Sequence, residues 1–138
     1  MNHNIIDIPL PLTYDNGWFA GFFDADGTIN FSFKNKHPQL TISVTNKYKK
    51  DIIYFQQVFG GYIYYDRSQN DYYKWTIQKK SDILQLLDYF KKYPSRSSKN
   101  QRLHLIPTYY KLVELRTYLQ PKESAQGKAW LKFINRWQ

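Results

Sequence analysis

The sequence contains no cysteine, which excludes a disulfide framework and any metal site built from thiolates. It contains no run of the roughly 18 consecutive apolar residues that a transmembrane helix requires. The N-terminus also lacks the basic stretch followed by a hydrophobic stretch that marks a secretory signal. From these absences we expect neither a membrane partner nor a secreted, disulfide-stabilised fold.

Acidic residues and histidines are also scarce. There are 11 acids against 20 lysines and arginines, which gives a formal net charge of +9. The histidines, His3, His37 and His104, are too scattered to suggest a metal site. A domain this basic, with 19% aromatic residues, predicts a polyanionic partner, and a generic basic surface is the alternative. Several basic residues lie among predicted strand aromatics, which favours a shaped nucleic-acid surface.

The hydrophobic periodicity predicts one domain over residues 15–138, after an extended lead-in or linker at 1–14 that contains two prolines. Alternating residues predict two strand pairs, 28–36 with 39–45 across a turn at His37-Pro38, and 62–65 with 72–78. Helical spacing predicts helices at 17–27, 48–59, 82–92 with Ser81 as cap, 103–117 and 124–137. This order predicts an α+β fold with a four-stranded antiparallel sheet backed by helices on one face.

The first predicted helix carries small residues on one face, at Gly17, Ala20 and Gly21. Each glycine lowers helix stability by about 1 kcal/mol, so the pattern predicts a second helix that approaches very closely. Either Asp15 or Asn16 is a suitable N-cap, and Gly27 is predicted to end the helix in a left-handed conformation.

Two carboxylates, Asp24 and Asp26, follow at the C-terminal end of this helix. That end already carries partial negative charge, so the acids are unfavourable there unless a cation is bound. Carboxylates and exposed carbonyls are hard oxygen ligands suited to Mg²⁺ or Ca²⁺. The alternative is that one aspartate caps a neighbouring element while the other is solvated.

The segment Phe19–Gly27 resembles the nine-residue signature of the LAGLIDADG homing endonucleases, a family of intron-encoded DNA endonucleases and related maturases of organelles. The resemblance implies an αββαββα fold with a saddle-shaped sheet on DNA. It implies that two such helices pack together through Gly17, Ala20, Gly21 and Asp24. It also implies that Asp26, with Ala25 beside it, binds a catalytic Mg²⁺, for which Mn²⁺ or Ca²⁺ can substitute in binding.

The resemblance supplies two further catalytic candidates. Asn46 is at the position of a polar, water-ordering residue, although capping the helix from Tyr48 is an equal alternative. Lys99 is predicted as the basic residue near the scissile phosphate, with Arg102 or Arg96 as alternatives. Only one signature is present in the sequence, so the family pattern implies either a homodimer or one half of a two-motif enzyme in a mitochondrion or other organelle.

The polar faces of the predicted strands carry side chains able to bond base edges or phosphates. A strand of roughly nine residues rises about 30 Å, comparable to nine base pairs, so one domain is expected to contact half of a long duplex site. The predicted DNA-binding residues are Asn30, Ser32, Lys34, Gln39, Thr41, Ser43, Tyr64, Arg67, Tyr73, Lys74 and Gln78.

Together these features predict a site-specific double-stranded DNA endonuclease that depends on a divalent metal and works as a dimer or paired half. The alternative is a non-catalytic RNA-binding protein, such as an intron maturase or a ribonucleoprotein component. A third interpretation is a protein-interaction module that uses the glycine face.

Overall fold

The computed structural model describes residues 16–67 and 71–138, so the predicted lead-in at 1–14 lies outside the described residues. The sheet strands are β1 Gly27–Lys34, β2 His37–Asn46, β3 Tyr62–Asp66 and β4 Tyr72–Ile77. The helices are α1 Trp18–Asp26, α2 Lys49–Phe59, α3 Lys80–Lys92, α4 Lys99–Glu114 and α5 Ala125–Trp137, with a short 3₁₀ helix at Thr117–Leu119. The predicted order of elements is confirmed.

The four strands form one antiparallel sheet in the order β1-β2-β4-β3. β2 and β4 are therefore central, while β1 and β3 are its edges. The helices cover one face, where Ile42, Val44, Trp75 and Ile77 are fully buried. The alternate residues of the strands form a second, more polar face, and this arrangement confirms the α+β class.

The first hairpin turns at Asn35 and Lys36, two residues earlier than predicted. Both have positive φ, 54° and 67°, as a tight two-residue hairpin requires. Pro38 lies inside β2 opposite Phe33, at a position where β4 does not yet pair with β2. An edge position tolerates the missing N–H of proline, so Pro38 did not mark the turn.

Helix α3 begins one residue before the predicted cap. Its first bond joins the Ile83 N–H to the Lys79 carbonyl at 3.0 Å, so Ser81 lies within the first turn. Leu84, although it is apolar, is 40% exposed. The buried stripe of α3 is therefore narrower than its apolar sequence suggested.

Helix α4 begins at Lys99, four residues before the predicted start at Leu103, and continues through Pro107. A proline inside a helix costs about 3 kcal/mol, because it removes one hydrogen bond and crowds the preceding turn. Ile106 and Tyr109 are buried on either side of Pro107, and their packing offsets that cost.

Aromatic side chains fix α1 onto the sheet. Phe19 is fully buried, and its ring centroid lies 4.6 Å from that of Phe59, 5.0 Å from Phe55 and 5.5 Å from Trp75. Phe23, one turn later, is also fully buried. Because this packing occupies one side of α1, it determines which side of the helix remains open.

A second aromatic cluster joins β1 to the last two helices. Phe31 lies 5.3 Å from both Tyr109 and Trp137 and 5.9 Å from Trp130, measured between ring centroids. Phe133 is buried beside them. The apolar side of α5 therefore packs into the core. Within the described residues, every helix is too short or too polar to cross a bilayer.

Candidate active site and nucleic-acid interface

The N-terminal end of α1 is held by the hydroxyl of Tyr89 in α3. Tyr89 Oη accepts a hydrogen bond from the Ala20 N–H at 3.1 Å and donates one to the Asn16 carbonyl at 2.7 Å. Asn16 Oδ1 accepts from the Trp18 N–H at 3.1 Å, although Gly17 is the N-cap. These bonds satisfy donors that the first turn leaves unpaired. Burial raises the pKa of Tyr89, so its hydroxyl stays protonated at neutral pH.

The C-terminal end of α1 leads directly into β1 at Gly27. Gly27 is extended, with φ −81° and ψ 154°, so the predicted left-handed cap is wrong. A Cβ at this position would lie 2.2 Å from Phe23 Cδ1 and 2.6 Å from the Phe23 carbonyl oxygen. Close packing therefore requires the glycine. The direct turn leaves Ala25 and Asp26 exposed at the end of the helix.

Asp24 binds the segment that joins α3 to α4. Its carboxylate accepts hydrogen bonds from the Ser95 hydroxyl, from the Ser97 hydroxyl at 3.1 Å and from the Arg96 N–H at 3.0 Å. Burial alone would raise the pKa of Asp24, but these hydrogen bonds outweigh it and hold the pKa below its ordinary value. Asp24 was predicted at a helix–helix interface, whereas the structure directs its carboxylate toward its own chain.

Lys99 caps the C-terminal end of α1. Its Nζ donates to the Asp24 carbonyl at 2.8 Å and to the Phe23 carbonyl at 3.1 Å. Cations are favoured there because unpaired carbonyls give a helix C-terminus partial negative charge. The Lys99 ammonium therefore lies against the last turn of α1, which is the turn that carries Asp26.

The two alternative basic residues are placed differently. Arg102 Nη1 donates to the Ile29 carbonyl at 2.7 Å, and its Nε donates to the Trp137 carbonyl at 3.0 Å. These bonds tie β1 to the end of α5, which is a structural role. Arg96 is exposed, and its backbone rather than its side chain bonds Asp24.

A cleft of about 410 Å³ opens where β1 begins. Its lining includes Gly27, Thr28, Lys99, Gln101 and Arg102. It therefore brings two basic side chains to the strand that starts immediately after Asp26. Arg102 is held there by its bonds to Ile29 and Trp137, so Lys99 is the side chain of the pair that lies at the end of α1.

Asn46 ends β2 near the same end of the sheet, two residues beyond the Val44–Gly27 pair. Its Oδ1 accepts a hydrogen bond from the Tyr48 N–H at 2.9 Å. This bond closes a turn before the helix, whose N-cap is Tyr48 and has no side-chain cap bond, so the alternative role of Asn46 as helix cap is not what the structure shows. The water-ordering role remains a prediction for the amide of the same side chain.

A basic cluster at the start of α2 was missed by the sequence analysis. The Nζ atoms of Lys47 and Lys50 lie 5.9 Å and 5.7 Å from the ring centroid of Tyr48, which is itself exposed. The signal was the Lys-Tyr-Lys-Lys run at 47–50. Ser95 and Ser97 were also missed, since nothing in their spacing linked them to Asp24.

Gly17, just before α1, and Gly21 lie on the open side of the helix, whereas Ala20, the third small residue of the predicted interface, is buried at the core. Gly17 and Gly21 are exposed, and a Cβ at Gly21 would meet no atom within 4 Å. A groove lined partly by these glycines and Ala20 continues along Tyr93 and Pro94. Glycine at position 21 is therefore not required by packing within the described residues, although it lowers helix stability by about 1 kcal/mol.

The oxygens at the end of α1 suit a hard divalent cation. Asp26 offers a carboxylate and Ala25 a backbone carbonyl, and both residues are exposed. Across residues 16–67 and 71–138, no group of three or more acids, histidines or cysteines is assembled. Mg²⁺ takes about six oxygen ligands, so an ion bound here would need water, phosphate or a second chain to complete its coordination.

The strand register brings most of the predicted DNA-binding residues onto one face of the sheet. Asn30 pairs with Thr41, Ser32 with Gln39, and Lys74 lies between Thr45 and Tyr64. Residues that pair directly across antiparallel strands share a face. This polar face includes Asn30, Ser32, Lys34, Gln39, Thr41, Ser43, Thr45, Tyr62, Tyr64, Lys74 and Thr76.

Three predicted contact residues differ from the rest. Tyr73 pairs with Asn46 and Tyr65, so it lies on the helix-covered face and packs against the core. Ser43 is on the polar face but is only 4% exposed. Arg67 follows β3 and is exposed at the edge of the described residues.

Hydrogen bonds order part of the polar face. Tyr62 Oη donates to Gln78 Oε1 at 3.1 Å, and Gln78 Nε2 donates to Thr41 Oγ1 at 3.2 Å. Gln39 Nε2 donates to the Gln78 carbonyl at 3.3 Å. The network holds these groups in one orientation before any ligand binds, which lowers the entropic cost of recognition.

The family model described as "LAGLIDADG endonuclease" matches residues 19–110. The chain belongs to the LAGLIDADG endonuclease family. It is 49% identical to a probable intron-encoded endonuclease aI2 of Debaryomyces hansenii, with 94% of the chain and 22% of the relative covered. It is 50% identical to the intron-encoded RNA maturase bI4 of Saccharomyces cerevisiae, with coverage of 94% and 21%. The chain thus spans about a fifth of the length of these relatives.

Solved structures show the same fold. The LAGLIDADG homing endonuclease I-GzeII, in complex with its DNA target, matches with a TM-score of 0.71 and 20% identity, covering 95% of this chain and 43% of that one. I-SmaMI, bound to uncleaved DNA in the presence of calcium, matches with a TM-score of 0.65 and 20% identity, covering 88% and 43%.

Proposed function

We propose that this chain forms one half of a site-specific endonuclease that hydrolyses double-stranded DNA with the help of a divalent metal. The observation that carries the proposal is the arrangement at the end of α1. Asp26 is exposed in the last turn, and the Lys99 ammonium binds the Asp24 carbonyl of that turn. Endonuclease relatives support it. Metal-assisted hydrolysis of a phosphodiester uses an anionic ligand for the metal, and a cation near the phosphate stabilises the developing charge.

Asp26 and the Ala25 carbonyl are the proposed ligands of Mg²⁺, and the calcium in the I-SmaMI crystals supports a hard divalent ion. Such an ion would activate water and stabilise charge on the phosphate. Lys99 would stabilise negative charge that develops on the phosphate, and the Asn46 amide would orient water. Asp24 acts indirectly, because it fixes the segment that leads into Lys99.

Two halves are needed to cut both strands. Each chain supplies one Asp26, which is too few protein ligands for two metal sites. The open face at Gly17 and Gly21 allows a second α1 to pack closely, and it would bring a second Asp26 beside the first. The partner is a second copy or another half of the same family.

The polar face of the sheet is the proposed DNA-binding surface. Its side chains are donors and acceptors suited to base edges in the major groove, and Lys34 and Lys74 supply positive charge. Each half would contact one half of the target site. Tyr73 is left out because it faces the core.

Selection from a randomised duplex library tests the proposal. In Mg²⁺ or Mn²⁺ the wild-type protein should cleave a long, specific sequence, and Asp26→Asn should not. A protein that binds the selected duplex but cleaves nothing in either metal would contradict the assignment as a nuclease.

The maturase relative favours a second candidate function, which is intron RNA binding without cleavage. The same basic, polar surface would then serve RNA. Since the relatives are intron-encoded, we propose a mitochondrion or another organelle as the site of action under either function. Tighter binding to structured RNA than to duplex DNA across a salt titration would favour this candidate.

A further inference from the structure

Two tyrosine rings stand side by side on edge strand β3, on the polar face. Tyr62 and Tyr64 are 47% and 43% exposed. Their ring centroids are 6.2 Å apart, and their planes differ by 31°. Two neighbouring rings therefore present accessible faces on a surface whose other side chains are mainly polar.

The surroundings of the pair are suited to a nucleotide. Lys74 lies directly opposite Tyr64 on β4, on the same face, where its ammonium can meet a phosphate. Tyr62 is oriented by its hydrogen bond to Gln78, which also bonds Thr41. The site thus combines two stacking surfaces, one cation and oriented amide and hydroxyl groups.

Bases within an intact duplex stack on each other and offer only their edges to a protein. Exposed ring faces instead match unpaired bases, which stack on aromatic side chains irrespective of sequence. Gln78 and Thr41, which bond each other, hold the hydroxyl of Tyr62 and so fix the orientation of its ring. The arrangement consequently fits single-stranded nucleotides better than duplex DNA.

We propose that Tyr62 and Tyr64 bind unpaired nucleotides of RNA by stacking, with Lys74 contacting the adjacent phosphate. The choice of RNA rests on the second candidate function, since a relative that is 50% identical is named an RNA maturase. The stacking itself needs no metal and no Asp26. Binding by this surface is therefore separable from DNA cleavage.

The matched control is Tyr65, the next residue of β3. Tyr65 is also 43% exposed, but it pairs with Tyr73 and lies on the opposite face of the sheet. Replacing each tyrosine with leucine removes the aromatic ring and keeps an apolar side chain. Phenylalanine keeps the ring and removes only the hydroxyl, so it separates stacking from hydrogen bonding.

The experiment measures binding of a short single-stranded RNA that carries 2-aminopurine, by anisotropy and by fluorescence quenching. Tyr62→Leu and Tyr64→Leu should each weaken binding about tenfold, the expected loss of one stacked base, and should reduce quenching. Tyr64→Phe and Tyr65→Leu should bind like the wild type. Circular dichroism confirms that each variant is folded.

Three results would overturn the proposal. One is equal weakening by Tyr65→Leu and Tyr64→Leu, and another is unchanged quenching in both leucine variants of the pair. The third is binding of single-stranded DNA, or of a random-sequence duplex that lacks the cleavage target, as tight as that of RNA, because it removes the preference for unpaired RNA. Asp26→Asn should retain RNA binding. Failure of the cleavage proposal can therefore be distinguished from failure of the stacking proposal.

Discussion

The Lys99 ammonium lies 2.8 Å from the carbonyl oxygen of Asp24, in the last turn of the helix that carries Asp26. One cation thereby caps the end of α1 that carries the exposed acid. Lys99 is therefore expected both to stabilise the end of α1 and to assist the proposed cleavage. Substitutions can separate the two effects, since capping alters unfolding and charge alters cleavage.

Lys99→Met should lower the cleavage rate by about 10²–10³-fold, because it removes a preorganised charge near the phosphate. Methionine retains apolar contact with Phe23, whose ring lies near Lys99. Loss of the capping bonds should lower the free energy of unfolding by about 1 kcal/mol. The control is Lys91→Met, which removes a lysine from an exposed position of α3. Equal cleavage by both variants would refute the role of Lys99.

Asp24→Asn should destabilise the protein by about 2 kcal/mol near pH 7, since it weakens three hydrogen bonds to a charged group. The pKa of Asp24 is lower in the folded state than its ordinary 3.8. Its stabilisation is therefore present above pH 3.8 and lost as the pH falls through the folded value.

Urea unfolding of wild type and Asp24→Asn at about pH 7 and about pH 3 measures this difference. The gap between the two free energies of unfolding should shrink at the lower pH. A gap that stays constant would show that the Asp24 charge contributes nothing to stability.

Gly21→Ala and Gly27→Ala should act in opposite directions. At Gly21 a methyl group meets no neighbour, so the single chain should gain about 0.5–1 kcal/mol of helix stability. At Gly27 the methyl collides with Phe23, and the free energy of unfolding should fall by about 1–3 kcal/mol or more.

Gly21→Ala should have the opposite effect on dimer formation, which it should weaken although it stabilises the single chain. The added methyl obstructs close approach of a second α1, so Gly21→Ala should reduce dimer formation in light scattering and reduce double-strand cleavage. If Gly21→Ala is more stable and still forms dimers normally, the glycine face of α1 is not the dimer contact.

Tyr89→Phe should lower the free energy of unfolding by about 1–2 kcal/mol, because the Ala20 N–H and the Asn16 carbonyl each lose a partner. The ring packing of Tyr89 against Phe19 is kept. Thermal or urea unfolding checks the loss. Hydrogen exchange at Ala20 should rise, and unchanged exchange there would contradict the capping role.

The order of helices and strands along the chain, the polar sheet face and the acidic end of α1 could be predicted because they depend on periodicity and on one contiguous motif. The contacts of Asp24 could not, since Ser95 and Ser97 are 71 and 73 residues away. Tyr73 was assigned to the wrong face because Tyr72 and Tyr73 are identical in type, so the alternation gave no register there.

The central claim is that Asp26, rather than Asp24, performs the chemistry, and the most direct test compares their asparagine variants on the selected duplex in Mg²⁺. The account predicts that Asp26→Asn loses cleavage by at least about 10³-fold while still binding the duplex in Ca²⁺. It predicts that Asp24→Asn, at a temperature where it is folded, still cleaves. Cleavage by Asp26→Asn at the wild-type rate would contradict the account.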